Sequence, residues 1–439
     1  MKNRDLKERV RRLKNLPTQI NDLLEMFPVD IPEKYRKMLI DKIFEDKELK
    51  DILDALEHNR PPKFVLIGRT GVGKSSLLNA MFGTYLAEIS DVEVGTVNTR
   101  SFEYWEDKEK VLEVLDTRGI GESEIGSIKA EEQLKNDIDN LNPDAILFLV
   151  RAKDRSRIDK DIAELKEITA KLDDTYPVIA VSTQVDELEP SRIKEPTSYP
   201  SKKIKNIQQA EEQLKRLLEK YNVNYLDIIS VSSYVEWGLP NSNDPIYDLD
   251  SLDKYKKEKL EIKNDFRFQI DDLIDKLANN VELNARINFF LETKTDKLVD
   301  ELTNKIIKAF ASAAGAIGLN PIPVSDLLIL TPLQTALVSI IAYLSGRDLN
   351  YETSKEFIAA IGGNMVAAKV FQQGAKLLNG LLPGVGSGIS ATIAYSGTTL
   401  IGVGAKKYFL YNVPKSKVKD YIENNKSKIR KEKETIELN

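Results

Sequence analysis

Two rhythms of apolar residues divide this chain. In the first sixty residues apolar positions recur every three or four: Leu6, Val10 and Leu13, then Ile20, Leu24 and Phe27, then Leu49, Ile52, Leu53 and Leu56. That spacing places them on one stripe of a helix. Pro17, Pro28 and Pro32 divide the stripe into separate helices, so residues 1–60 read as a helical arm that packs on another domain. From 61 to about 281 short unbroken apolar runs take over: "FVLI" at 64, "SFEYW" at 101, "VLEVL" at 111, "AILFLV" at 145, "VIAVS" at 178 and "DIISVS" at 227. Helical patterns lie between most of them, for example at 159–172 and 206–220. This alternation predicts an α/β domain whose mostly parallel six-stranded sheet is covered by helices on both faces. The Pro- and charge-rich "EPSRIKEPTSYPSKK", from 189, reads as a surface loop, and "FQIDDLIDKLANNV", from 268, as the last helix of the domain.

Residues 282–439 have a third texture, long helical patterns rich in Ala, Gly and Leu, and predict an all-α domain. Two windows in it lack charge: Leu327–Gly346 and Leu377–Ala405. A membrane helix needs roughly 20 apolar residues. The first window has that length, and the second suffices for a span or for a hairpin turning near "LPGVGSG", where Gly384 and Gly388 have close-approach spacing. Thr, Ser, Gln and Asn are scattered through both, and Pro332 and Pro383 interrupt them. A bundle with an Ala/Gly-rich core explains the same pattern, so lipid association and a lipid-free bundle both stand as readings.

Bulk composition narrows the chemistry. At 439 residues the chain exceeds one compact core, and with 41% hydrophobic and 30% charged residues it is globular. A formal net charge of -5 gives no expectation of a nucleic-acid partner. The absence of cysteine excludes disulfides, thiolate metal sites and cysteine nucleophiles, and fits a cytoplasmic location. The one histidine, His58, lies outside every motif below, which argues against a histidine dyad or zinc cluster. No apolar run follows the charges of residues 1–15, so a secretory signal is not expected there; the basic run Lys2–Lys14 reads as a solvated helix face.

The strongest local signal is "KFVLIGRTGVGKSSLLNAMFG", residues 63–83: a strand, a glycine-rich turn and a helix. "GRTGVGKS" has Gly68, then four residues, then Gly73, Lys74 and Ser75. Glycines let successive backbone N–H groups turn inward toward phosphate oxygens, and the helix that follows brings its positive end to the same place. The expected phosphate contacts come from Arg69, Thr70, Gly71, Val72, Gly73, Lys74, Ser75 and Ser76, with Lys74 on the β- and γ-phosphates and Ser75 on magnesium. "LDTRGIG" provides Asp116 and Gly119, an aspartate for a magnesium-bound water and a glycine N–H for the γ-phosphate. "STQVDELEP" provides Asp186, whose carboxylate can accept from guanine N1 and N2, groups that adenine lacks. "SVSSY", residues 230–234, ends the last strand of that domain, where backbone N–H groups of Ser232 and Ser233 can meet guanine O6.

These motifs, in this order over 61–281, resemble the translation-factor class of GTPases, in particular the Era-like branch and its relatives among dynamins, septins and immunity-related GTPases. The resemblance implies GTP/GDP and Mg2+ as ligands, hydrolysis of GTP, and a threonine that closes over the metal. In "EVGTVNTRSFEYW" that threonine falls on Thr99, with Thr96 as the second reading. Thr183 and Gln184 depart from the family's Asn-Lys, while Asp186 keeps the discriminating carboxylate and the Gln184 stem can still cover the base. Ile120 follows Gly119, where Ras-like enzymes place a water-orienting glutamine. The missing group is expected from a partner, a homodimer across the nucleotide face, with Arg69 or Arg118 as candidates. Tyr234 and Trp237 can stack on the base or pack, and Trp105 reads as packing. Residues 310–410, with "NPIPVSDLLILTPLQTALVSIIAYLSG" and "LPGVGSGISATIAYSGTTLIGVGAKKYF", are similar to the domain of unknown function 697, which implies a helical, membrane-associated output region and membrane lipid as a second partner.

Overall fold

The computed structural model describes residues 47–58, 60–85, 99–117 except 107–108, 128–318 except 155–157, 173–175 and 294, 325–347, and 391–425 except 423, with isolated positions elsewhere. It divides into two compact units, Asn59–Lys294 and Met1–His58 with Thr295–Asn439.

In the second unit, helix α1 (Lys47–Glu57) precedes the division. The first elements of the other unit are β1 (Lys63–Ile67), α2 (Lys74–Phe82), β2 (Thr99–Glu106) and β3 (Glu109–Thr117). Then come α3 (Ile128–Leu141), β4 (Ala145–Arg151), α4 (Ile158–Lys171), β5 (Val178–Thr183), α5 (Ser201–Lys220) and β6 (Asp227–Ser230). The six strands order as β2-β3-β1-β4-β5-β6, with β2 antiparallel to β3 and the others parallel. All six apolar runs of the sequence are in this sheet. The central strands are apolar throughout because both faces are covered. Val65, Ile67, Ile146 and Phe148 pack with Ile138, Ile162 and Leu214 from α3, α4 and α5. Phe64 faces the other way, edge-on to Phe289 at 5.4 Å between ring centroids.

The chain continues as β7 (Val235–Gly238), the single turn α6 (Lys254–Lys257), β8 (Glu261–Asp265), α7 (Ile270–Ala278) and α8 (Leu283–Thr293). Strands β7 and β8 form a separate antiparallel pair that the apolar pattern did not predict. Its second strand, "EIKND", is mostly exposed and has no apolar alternation to read. Helix α5 begins at Ser201, five residues before the periodic pattern, directly behind Pro200, whose carbonyl accepts from the Lys203 N–H at 2.8 Å. Lys203 is thereby drawn out of the expected surface loop into a fully buried helical position. Helix α8 sits in the sheet-containing unit, with Phe289 against Phe64 and Phe82.

The all-helical unit contains α1, α9 (Thr295–Gly318), α10 (Ser325–Leu344) and α11 (Ala391–Phe409). Helices α9, α10 and α11 pack on one another, and α1 lies on α9, where Glu48 pairs with Lys305 and Lys308. A Cβ on Gly402 would stand 2.8 Å from Ile307, so glycine here sets how closely α11 approaches α9. Polar groups in this core are paired: Gln334 Nε2 donates to Thr398 Oγ1 at 3.2 Å, and Lys406 Nζ donates to Asn304 at 2.8 Å and pairs with Asp300 at 2.6 Å. Among the described residues no helix is long and apolar enough to cross a membrane. The glycines Gly384 and Gly388 lie outside the described residues.

One ion pair anchors the entry to β1. Arg60 donates to both oxygens of Asp144, at 2.8 and 2.7 Å, and the Lys63 N–H adds a third bond at 2.9 Å. The Asp144 side chain is only 4% exposed, against 31% for Arg60, which also reaches Glu282. Asp144→Ala therefore removes three bonds but leaves Arg60 a second partner and water. It should lower the unfolding free energy by about 2 kcal/mol, measured as a lower urea midpoint with unchanged slope.

Candidate functional site

The loop between β1 and α2 is shaped by three glycines. A Cβ on Gly68 would stand 2.7 Å from the Leu149 carbonyl oxygen, so only glycine lets the chain leave β1 this close to β4. Gly71 and Gly73 have φ of +76° and +98°, which L side chains rarely adopt. Val72 between them is buried, while Ser75 and Ser76 open α2 at the surface, where free helix N–H groups and the helix dipole favour an anion. Lys74 curls back over the loop. Its Nζ donates to the carbonyls of Gly68 at 2.7 Å and Arg69 at 3.3 Å, and lies 3.4 Å from Asp116.

Asp116 is aligned with Leu66 across the β1–β3 pairing, at the strand end that feeds this loop. Thr99 opens β2 opposite Thr117, one register step from Asp116. Sheet pairing thus brings both sequence-predicted residues to the same edge. Thr96, Arg118, Gly119 and Ile120 lie outside the described residues. The metal ligands expected here are all oxygens, Ser75, Asp116 and Thr99. Among the described residues no cluster of three or more acidic, histidine or cysteine side chains could hold an ion by itself. That set suits magnesium, which keeps several waters and takes one or two protein ligands plus phosphate.

Arg69 is committed elsewhere. Its Nε and Nη2 bond both oxygens of Asp161 on α4 at 2.5–2.9 Å, which raises the guanidinium pKa. The Arg69 side chain is held on α4, and what it contributes to the loop is its backbone.

Two side chains at the end of β5 join this loop to the opposite end of the site. Thr183 Oγ1 is within bonding distance of the Val72 carbonyl at 2.7 Å and the Val150 carbonyl at 3.1 Å. Gln184, at φ 57°, donates from Nε2 to the Gly71 carbonyl at 3.0 Å and accepts from Arg151 Nε at 2.7 Å. The two departures from the family pattern therefore still brace the glycine loop. Asp186 is 6% exposed and accepts from Ser232 Oγ at 2.9 Å on one oxygen and from Lys194 Nζ at 2.8 Å on the other. Ser232 is in turn held by a two-way backbone bridge to Phe268.

A cleft of about 430 Å³ runs between the two ends. Gly73, Ser75 and Ser76 line one end, and Thr183, Gln184, Asp186 and Ser233 the other, with Tyr85, Tyr234, Trp237 and Leu249 as apolar walls. Trp237 is 5% exposed and edge-on to Tyr85 at 5.7 Å, and Tyr234 stacks on Phe266 at 5.3 Å. Both aromatics are packed and still border the cleft. Lys194, Lys203, Tyr85 and Leu249 had no motif to announce them, because they come from three loops and the first turn of α5, whose residues only meet in the fold.

Residues 63–184 match the family model described as a 50S ribosome-binding GTPase, and residues 284–423 match the domain of unknown function DUF697. The chain is 29% identical over 177 residues to the GTPase Der of Nautilia profundicola, covering 38% of this chain and 37% of that protein. It is 33% identical over 154 residues to the tRNA modification GTPase MnmE of Bacillus licheniformis, covering 33% and 32%. It is 32% identical over 104 residues to the uncharacterized protein YfjP of Escherichia coli, covering 24% and 35%. The chain thus spans about a third of the length of the curated relatives it matches.

Thr183→Val keeps the shape of the buried side chain and removes the one hydroxyl hydrogen that the Val72 and Val150 carbonyls share. It should cost about 1–2 kcal/mol of stability and weaken nucleotide binding severalfold, measured by denaturation and by titration with a fluorescent nucleotide.

Proposed function

Because the chain carries a P-loop GTPase domain followed by a DUF697 region, we propose that it binds GTP with magnesium, hydrolyses it to GDP and phosphate, and uses the nucleotide state to control self-assembly or membrane association. The carrying observation is a cleft that has the α2 N-terminus at one end and Asp186 at the other. The phosphates lie on the loop 68–75, and the base reaches Asp186, which accepts from the paired N1–H and 2-amino donors of guanine, a pair that adenine lacks. Ser75, and Asp116 through a water, would hold magnesium, which when bound would supply positive charge against the β- and γ-phosphate oxygens. Water attacks the γ-phosphate in line while Lys74 and the loop amides stabilise the charge on the leaving oxygens. Thr99, closing over the metal, and Gly119, through its N–H, sense the γ-phosphate, and the release of their loops after hydrolysis is the switch.

Ile120 has no polar atom to orient the attacking water, and the Arg69 side chain is held by Asp161. A second copy facing the nucleotide supplies the missing group, with Arg118 as the candidate. The helical arm of residues 1–60 and the helical region of 282–439 form the output of the nucleotide domain of 61–281, acting at the cytoplasmic face of a membrane. Its two charge-free windows support that reading. A second reading, association with the ribosome, is favoured by the description of the matching family.

Asp186→Asn replaces an acceptor pair with a mixed donor and acceptor. GTP affinity should fall by about a hundredfold or more, with a relative gain for xanthosine triphosphate, measured by competition titration. If GTP is retained and no preference changes, Asp186 does not read the base. Hydrolysis per molecule should rise with protein concentration through the micromolar range; a flat rate rejects the dimer. Flotation of the full chain with anionic liposomes should depend on whether GDP or a non-hydrolysable GTP analogue is bound. Absence of flotation in both states, with salt-sensitive co-sedimentation on ribosomes, would favour the second reading.

A further inference from the structure

A carboxylate has two oxygens and about four acceptor directions. At Asp186 the protein occupies one direction on each oxygen: Ser232 Oγ donates to Oδ1 at 2.9 Å and Lys194 Nζ to Oδ2 at 2.8 Å. One direction on each oxygen is left, and Asp186 lines the cleft. Guanine presents N1–H and its 2-amino N–H side by side, a donor pair with the spacing of a carboxylate's two oxygens.

The Lys194 ion pair rests on a backbone tied down from below. Lys203, with no exposed surface, donates from Nζ to the carbonyl oxygens of Asp186 at 2.7 Å, Ile193 at 2.8 Å and Pro190 at 3.3 Å. One ammonium therefore joins the backbone of Asp186 to that of the residue immediately before Lys194. The Tyr199 ring lies 4.4 Å from that ammonium, and Asn206 Nδ2 holds the Glu189 carbonyl at 2.8 Å. On its other side, Lys194 Nζ stands 5.3 Å from the centroid of Tyr234, a wall of the cleft. The Lys194 ammonium is thus set between the carboxylate and that wall by a preorganised loop, with its side chain 35% exposed. An exposed ion pair alone contributes little. A cation held on a 9% exposed carboxylate beside a ligand cleft fixes the direction in which that carboxylate accepts.

We infer that Lys194 is a specificity-determining positioning residue: by holding Oδ2 it keeps the Asp186 carboxylate turned so that both oxygens face the guanine donors. The inference rests on the reading of the cleft as a guanine-nucleotide site and deepens it. Lys194 acts through Asp186, so its signature is discrimination at the 2-amino group.

The test is a calorimetric titration of the full chain, wild type, K194M, K194Q and K194R, with GDP, IDP and ADP. IDP keeps N1–H and lacks the 2-amino group. K194M should weaken GDP binding by about tenfold and IDP binding by less, so the preference for GDP over IDP shrinks. K194Q should behave as K194M does, and K194R, which keeps a cation, should recover most of the preference. ADP binding should be the same in all four, with thermal midpoints that show each variant folded. An unchanged GDP-to-IDP ratio in K194M and K194Q, tighter GDP binding, or an equal loss for all three nucleotides overturns the role of Lys194. A wild-type chain that binds ADP as well as GDP overturns the guanine reading itself, which separates the two failures.

Discussion

The close approach of Gly68 to strand β4 is the constraint on which the site depends. With no side chain at residue 68, the loop leaves β1 against the Leu149 carbonyl, and Val72 is buried beneath it. That seat brings the carbonyls of Val72 and Gly71 within reach of Thr183 and Gln184 at the end of β5. The phosphate-side loop and the base-side loop are therefore in register through two side chains, and the cleft between them has a set length. A side chain at residue 68 would lift the loop, and both bonds would lengthen together.

The same logic runs through the base-side loops. A carboxylate buried as deeply as Asp186 is costly without partners. Here it has a hydroxyl from the β6 end and an ammonium from the 189–200 segment, while a second, fully buried ammonium satisfies two backbone carbonyls of that segment and the carbonyl of Asp186 itself. Burial lowers the pKa of Lys203, and the neighbouring Asp186 charge acts against that shift. Side chains from three sequence regions thus hold loops that have little regular structure of their own.

In the helical unit polar residues of the apolar windows and their flanks are paired. Gln334 reaches Thr398, Ser339 pairs with Ser354, and Lys406 meets Asp300 and Asn304. Buried polar groups need partners in a protein core and in lipid alike, so hydroxyls and amides within an apolar window do not by themselves distinguish the two environments. What they require is a packing in which α9, α10 and α11 face one another, and this packing supplies it.

Much of the fold was legible because its signals are local. Apolar runs such as "AILFLV" can be stable only where both faces of a strand are covered, and all six such runs became the sheet. The glycine spacing of 68–73 and the lysine and serine that follow state the backbone shape and the charge of the loop in adjacent residues. Strands β7 and β8, the early start of α5 and the burial of Lys203 were not legible, since each depends on a partner distant in sequence. Lys194 looked like one more charge in a surface loop until Lys203 fixed the backbone before it. The sequence by itself determined the six strands of the main sheet, the glycine loop and the presence of a carboxylate at 186, because backbone preference and apolar period act over a few residues. The tertiary structure alone decided that Arg69 is held by Asp161, that Thr183 and Gln184 brace the glycine loop, and that Lys194 stands on Asp186, because those bonds form only after strand pairing has brought separate loops to one edge of the sheet.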